Sequence, residues 1–309
     1  MSKKISIILD GDPGHDDAIA WMLAKSSELL DIRAVTSVCG NQTIEKTTYN
    51  ARRVCTLLGI DAPIATGRPK PLVEDVMNAP SIHGESGLDG PALPEPEMEV
   101  CGLTATELIA KVLRESDEPV ALVPTGPLTN IAAFLLSHPE LKEKIRVISL
   151  MGGGIELGNW TPAAEFNILL DPEAAKIVFE SSVPIIMSGL DVTEKALIFP
   201  EDFERIRAVG NDIARIVAEW LEFFYIFHRS IGYEGAPMHD PCAIVSLIRP
   251  DLLDTREMCV QIETKGEYCR GTTVGRTDRP ANAKVNMGID RKGFADLLVE
   301  AVKTYGEGN

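Results

Sequence analysis

Ile5-Ser6-Ile7-Ile8-Leu9-Asp10-Gly11-Asp12-Pro13-Gly14-His15-Asp16-Asp17-Ala18-Ile19-Ala20-Trp21-Met22-Leu23 decides how the chain reads. Ile5 to Asp10 is an apolar run of strand length. From Asp16 to Ser26, Ala18, Ile19, Met22 and Leu23 recur at the spacing of one helical face. Pro13 and Gly14 interrupt both periods and mark a turn. Strand, turn and helix in that order open a βαβ unit.

The alternation continues outward from this stretch. Ile32 to Cys39 reads as a strand, and the helix after it runs from about Thr43 to Leu58, stopping at Gly59, a residue suited to a left-handed C-cap. Val120–Pro124, Ile145–Met151 and Val183–Ser188 are further strands. Helices begin near Thr104, Pro127 and Pro172, and proline is tolerated in a first turn because its missing N–H has no partner to lose there. The pattern predicts an α/β fold with a mainly parallel, doubly wound, Rossmann-like sheet covered by helices on both faces. Asp212 to about Ile231 reads as a core helix with an aromatic end. Met258–Ile262, Gly271–Val274 and Ala283–Ile289 form a small additional β element before a C-terminal helix from Lys292. With no repeat and no linker, residues 1–309 read as a single domain, although a length prior of ~150 residues per domain allows two. Gly67–Leu103 holds six of the twenty prolines. It is too long for an ordinary connection and suggests a substrate lid.

The 30 Lys and Arg against 46 Asp and Glu leave a formal charge of −16, without a dense basic run. That balance excludes a nucleic-acid partner, which needs a clustered basic footprint, and an anionic membrane surface. No apolar stretch approaches the ~20 residues of a membrane span. Met1-Ser2-Lys3-Lys4 leads straight into the first strand, which predicts no targeting signal and a cytoplasmic protein. The six cysteines, Cys39, Cys55, Cys101, Cys242, Cys259 and Cys269, lack any C-x-x-C pair and read as reduced core or strand residues.

Four carboxylates, Asp10, Asp12, Asp16 and Asp17, fall within eight residues where the first strand ends. In an open α/β sheet that is where ligands bind. A helix dipole explains acidic residues at a helix start, hence Asp16 and Asp17, but not Asp10 and Asp12 closing a hydrophobic strand. A cation among them relieves the repulsion. An all-oxygen donor set selects Ca²⁺ or Mg²⁺, and calcium if the shell holds six to eight oxygens including two substrate hydroxyls. Further ligands are available at Pro124-Thr125-Gly126-Pro127 and His239-Asp240-Pro241. The glycines of Met151-Gly152-Gly153-Gly154 lack G-x-G-x-x-G spacing and do not read as a nucleotide-phosphate loop. Asn159, Glu165 and Asn167, gathered around Phe166, instead suit a polyhydroxyl sugar.

Asp10-Gly11-Asp12-Pro13-Gly14-His15-Asp16-Asp17 resembles the D-x-D-P-G-x-D-D signature of nucleoside hydrolases, calcium enzymes that cleave the N-glycosidic bond of ribonucleosides. The resemblance covers essentially the whole chain, through Gly40-Asn41-Gln42-Thr43, the His83 loop, Thr125-Gly126-Pro127, Met151-Gly152-Gly153, Ala164-Glu165-Phe166-Asn167 and His239-Asp240. It implies the sheet of that family and calcium held by Asp12, Asp17, the Thr125 carbonyl and Asp240. Asp16, Asn41, Met151, Asn159, Glu165 and Asn167 then fall at ribose positions, Phe166 near the ring and base, and His83 and His239 at the base, with Asp10 supporting the loop. Asp12 would be the general base toward a calcium-oriented water, and His239 the acid or hydrogen-bond donor to the departing base. The resemblance further implies a small-molecule ribonucleoside substrate and a homodimer or homotetramer.

Among these enzymes the chain is most similar to the bacterial pyrimidine-specific ones, through His83-Gly84-Glu85-Ser86-Gly87-Leu88-Asp89-Gly90-Pro91 and Gly158-Asn159-Trp160-Thr161-Pro162. Purine-specific relatives sandwich the base between tryptophans, whereas position 83 is histidine here and Trp21 and Trp220 fall on predicted core helices. His228 to Tyr233 should border the base and departs from the pyrimidine-specific enzymes, so uridine and cytidine are the first expectation and a broad inosine-uridine range the next. The alternatives are a broad inosine-uridine hydrolase, a non-catalytic calcium-dependent nucleoside-binding protein, and a phosphohydrolase of the D-x-D type. Pro13-Gly14 after D-x-D disfavours the last, and His239 speaks against the binding protein.

Overall fold

The computed structural model describes residues 4–306, so Met1-Ser2-Lys3 of the expected signal-free start lies outside the described residues. The strands are β1 (Ile5–Gly11), β2 (Leu30–Ser37), β3 (Ile64–Thr66), β4 (Val120–Pro124), β5 (Ile145–Met151), β6 (Ile185–Ser188), β7 (Leu197–Ile198), β8 (Ala236–Pro237), β9 (Leu253–Ile262), β10 (Thr273–Arg276) and β11 (Ala283–Ile289). Nine of them form one sheet in the order β10-β9-β11-β6-β5-β4-β1-β2-β3. From β11 to β3 all neighbours are parallel, while β9 and β10 close the far edge antiparallel.

The winding positions the site. The chain steps outward from β1 through β2 to β3, then returns to β4 on the other side of β1 and continues through β5 and β6. Strand order therefore reverses between β1 and β4, where crossover helices leave on opposite faces and open a crevice at the strands' carboxyl ends. Leu9 pairs with Val123 and Asp10 with Pro124, and the ladder ends where the Thr125 N–H donates to the Asp10 carbonyl at 2.8 Å.

Helices α1 (His15–Ser26), α2 (Ile44–Leu58), α3 (Pro80–His83), α4 (Ala105–Glu115), α5 (Thr129–Ser137), α6 (Phe166–Leu170), α7 (Pro172–Phe179), α8 (Leu190–Thr193), α9 (Pro200–Arg207), α10 (Asp212–Ser230), α11 (Pro241–Ile248) and α12 (Arg291–Lys303) complete the described fold. Residues of β1 alternate between two cores, as the period of a strand requires. Ile7 and Leu9 pack with Trp21 of α1, Trp220 of α10, Ile244 of α11 and Phe294 of α12; Ile8 packs with Ile109 of α4, Phe134 of α5 and Val178 of α7. Helices thus cover both faces. Gly59 caps α2 at φ 63°, the left-handed conformation that glycine adopts without a Cβ penalty.

Some boundaries differ from expectation. β2 starts at Leu30 and ends at Ser37 rather than Cys39, β6 starts at Ile185, and α5 begins two residues beyond Pro127. The C-terminal strands extend the main sheet, and the separate small element is the antiparallel pair β7–β8. β9 was recognisable only from Met258 because its first half, through Glu257, is half-buried or exposed and lacks an apolar pattern. Cys269 is exposed and lies outside any strand, contrary to the core-or-strand expectation. The loop of 67–103 folds into α3 and is tied down at both flanks of it: Asn78 Nδ2 donates to the Gly40 carbonyl at 2.7 Å, and Gln42 Nε2 to that of Gly84 at 3.1 Å. Among the described residues no helix is long and apolar enough to cross a membrane.

Candidate active site

The carboxyl ends of β1 and β4 and the start of α1 and α11 converge on a floor of buried acids. Asp10 accepts from Thr36 Oγ1 at 2.5 Å and Asn130 Nδ2 at 2.7 Å, tying β1 to β2 and α5. Its full burial pushes the carboxyl up to about 6 despite those bonds. Asp12 Oδ2 accepts the Asn41 N–H at 2.6 Å, whereas Oδ1 is buried without a hydrogen-bond partner. Asp17 Oδ2 accepts from the Gly14 N–H at 3.0 Å and Oδ1 from Thr125 Oγ1 at 2.6 Å.

Asp16, Asp17 and Asp240 each place a carboxylate oxygen within 4.8 Å of the others. Desolvation, then the charge of neighbouring acids, holds Asp12 and Asp240 well above the usual carboxylate range and Asp16 at about 7. Such an assembly of buried like charges calls for a positive partner. The orphaned Asp12 oxygen, the three-carboxylate group and the adjacent Thr125 make an all-oxygen donor set, which fits a hard divalent cation.

Above this floor opens a cavity of about 420 Å³. Asp16, Asn41, Thr125, Met151, Asn159, Glu165 and Asn167 line it, Asn159 exposed and the others buried or half-buried, together with Phe166, His83, His239 and Asp240. Asp12 and Asp17 lie beneath, 1% and 0% exposed. A larger cleft, of about 760 Å³, sits at the opposite, amino-terminal ends of the strands, between Lys4, Asp31 and Arg33. Its position is wrong for ligand chemistry in this fold, where binding occurs beyond the carboxyl ends.

A family model described as inosine-uridine preferring nucleoside hydrolase matches residues 7–296. The chain belongs to this nucleoside hydrolase family. It is 55% identical over 308 residues to the pyrimidine-specific ribonucleoside hydrolase RihA of Escherichia coli O7:K1, covering 97% of this chain and 99% of that one. Among solved structures it resembles a purine-preferring ribonucleoside hydrolase from Gardnerella vaginalis, with a TM-score of 0.91, 29% identity, and 96% and 98% of the two chains covered. A plant nucleoside hydrolase matches with a TM-score of 0.89 and 28% identity over 97% and 99%. The protein is thus a ribonucleoside hydrolase, an N-glycosyl hydrolase of a metal-dependent family, with a buried acidic cluster where the cation belongs.

The amides of this nucleoside hydrolase are already oriented. Asn41 Nδ2 donates to the Asp12 carbonyl at 3.2 Å, Asn167 Nδ2 to the Thr125 carbonyl at 2.8 Å, and Asn159 Oδ1 accepts the Phe166 N–H at 3.0 Å. Glu165 has a second task that its sequence position did not disclose. As N-cap of α6 it accepts from the N–H groups of Gly153, Asn167 and Ile168 at 2.8, 2.9 and 3.1 Å, locking the Gly-rich turn to the start of α6. His239 Nδ1 meets Thr193 Oγ1 at 2.8 Å, and burial pushes its pKa down to about 4, so the ring is neutral near pH 7. His15 lies under the cavity wall, its Nε2–H donating to the Asp89 carbonyl at 2.7 Å and its ring stacked on His83. Sequence reasoning missed Glu194, which lines the cavity just past α8, and Thr193 beside it. The one available signal was weak: both lie within six residues of the carboxyl end of the strand ending at Ser188, at the end of the short helix α8.

Proposed function

We propose that this nucleoside hydrolase cleaves pyrimidine ribonucleosides, uridine and cytidine, to free base and ribose, with calcium as its cation. The observation that carries the reading is the Asp12 carboxylate: one oxygen fixed by Asn41, the other buried and unpartnered beside Asp16, Asp17 and Asp240. The 55% identity to a pyrimidine-specific relative supports the base preference.

Asp12, Asp17, the Thr125 carbonyl and Asp240 would hold the ion. When bound, it supplies the charge that keeps these acids ionised and orders water and ribose hydroxyls. Asp12 Oδ1 takes the proton of the attacking water, as a base held in place through its other oxygen. Asp16, Asn41, Met151, Asn159, Glu165 and Asn167 form the ribose subsite, with Phe166 against the ring. Carboxylate and amide oxygens fixed there stabilise the oxocarbenium character that develops as the C1′–N bond lengthens. His239 is neutral, so it assists the leaving base by donating an N–H hydrogen bond. The Nδ1–Thr193 Oγ1 contact suits that role: with the hydroxyl as donor to Nδ1, the ring proton sits on Nε2. His83 borders the base.

The same reading takes the chain as one catalytic domain that assembles as a homodimer or homotetramer in the cytoplasm, a setting that suits the exposed thiol of Cys269. The test is incubation with uridine, cytidine, inosine and a phosphomonoester, with and without a calcium chelator, assaying reducing sugar and phosphate. Chelator-sensitive ribose release from the pyrimidine nucleosides is expected. Binding without ribose release, or phosphate release, overturns the reading.

A further inference from the structure

Glu194 is a carboxylate in an uncharged-substrate cavity, and the residues described so far give it no task. It lines the cavity at the end where His228, Tyr233 and His239 also stand. Its polar neighbours are the Tyr233 hydroxyl, which donates to it, and the His228 ring. The adjacent Lys195 points elsewhere, its ammonium donating to the Met287 carbonyl at 2.7 Å. A half-buried carboxylate without a cation is an acceptor with lone pairs to fill.

His228 adds a second acceptor. Its Nδ1 lies 2.9 Å from the Phe224 carbonyl one helical turn earlier. A carbonyl only accepts, so Nδ1 carries the ring proton and, in the neutral imidazole, Nε2 is a bare lone pair. Of the donors at this end, the Tyr233 hydroxyl is spent on Glu194 and the His239 N–H is assigned to the departing base. This end of the cavity therefore presents acceptors.

We propose that Glu194, with Tyr233 and His228 beside it, selects bases that carry an exocyclic amino group, so that cytidine is preferred over uridine. The inference rests on the pyrimidine ribonucleoside reading and refines it. The cytosine 4-amino group has two N–H donors for two acceptors. Uracil places the O4 lone pairs there instead, against a carboxylate, with one N3–H as its sole donor. Sites built to pair with a substrate donor discriminate strongly, because the analogue leaves buried polar groups unpaired.

The experiment compares kcat/KM for cytidine and uridine in the calcium-loaded protein and in Glu194→Gln and Glu194→Asp. The unsubstituted enzyme should favour cytidine by at least about tenfold, at the low end of such discrimination. In Glu194→Gln the amide can turn its NH₂ toward O4, so the ratio should fall about tenfold or more, with circular dichroism and the melting temperature reporting the intact fold. Glu194→Asp keeps the acceptor, and the preference should keep its direction. A ratio near one in the unsubstituted enzyme, or one that moves less than about threefold in Glu194→Gln, overturns the proposal. If neither pyrimidine nucleoside is cleaved, the pyrimidine reading fails separately. Adenosine against inosine, which differ by the same amino-for-oxo exchange, then decides the role of Glu194 by the same ratio.

Discussion

The Asn41 main-chain N–H sits 2.6 Å from Asp12 Oδ2, and that bond leaves Asp12 Oδ1 buried with no partner. One oxygen orients the carboxylate and the other is free to act. Asp12→Asn keeps the shape and removes the base, so kcat for uridine should fall about 10²–10⁴-fold with the melting temperature little changed. Steady-state assay of ribose release checks this. Retention of more than a tenth of the activity rejects Asp12 as base.

The acidic floor also sets how stability responds to pH. Burial holds Asp16 at about 7 and Asp10 at about 6, above the ~3.9 of an unfolded chain, so the folded metal-free protein binds more protons. Their contribution is present below pH ~4 and is lost as pH rises through about 7. His15, His228 and His239, held near 4 by burial, act oppositely, but their effect fades as pH rises past the ~6.5 of an unfolded histidine. Between pH 6.5 and 8 the carboxyls therefore dominate. In a chelator the melting temperature should decline across that window, and calcium should raise it by an increment that grows with pH. A calcium increment independent of pH speaks against an ion bound among these acids.

Much of this floor was legible because it is local in sequence. Asp10 to Asp17 form one turn between a strand and a helix whose periodicities are unmistakable, and the strands ending at Pro124 and Met151 were placed to the residue. The far end of the cavity was legible only in part: His228 to Tyr233 was expected beside the base and does line the cavity, whereas Glu194 was not expected there. Glu194, His228 and Tyr233 come from the turn after α8, from α10 and from the segment before β8, each with an ordinary local pattern. Only tertiary packing unites them. Glu165 shows a related limit: a carboxylate in a motif read as sugar-binding carried no sign that three backbone N–H groups would converge on it.

His239 and Thr193 allow a graded test of the leaving-group role. With Nδ1 2.8 Å from the Thr193 hydroxyl, His239→Ala should reduce kcat by about 10²-fold or more, and Thr193→Val, which loses only the orienting bond, by less. Calcium affinity should stay within about threefold in both, since neither side chain belongs to the proposed ion shell. Burial places His239 near 4, so kcat should not decline between pH 6.5 and 8 through loss of an imidazolium proton. An unchanged kcat in His239→Ala removes it from the mechanism.

Gly40 and Gly126 grip the same carboxylate from opposite sides. A Cβ on Gly40 would meet Asp12 Oδ2, and one on Gly126 would meet Asp12 Oδ1 and Val38 Cγ1. Gly126 is not among the glycines with positive φ, so alanine there is permitted by the backbone and opposed only by what it touches. Gly126→Ala must displace the Asp12 side chain, and a shift on the order of 1 Å in a reacting group lowers turnover about 10²-fold. The far-ultraviolet circular dichroism should be unaltered, because β4 and α5 keep their hydrogen bonds. Near-normal kcat in a folded Gly126→Ala would show that the Asp12 carboxylate tolerates displacement, which a positioned general base does not.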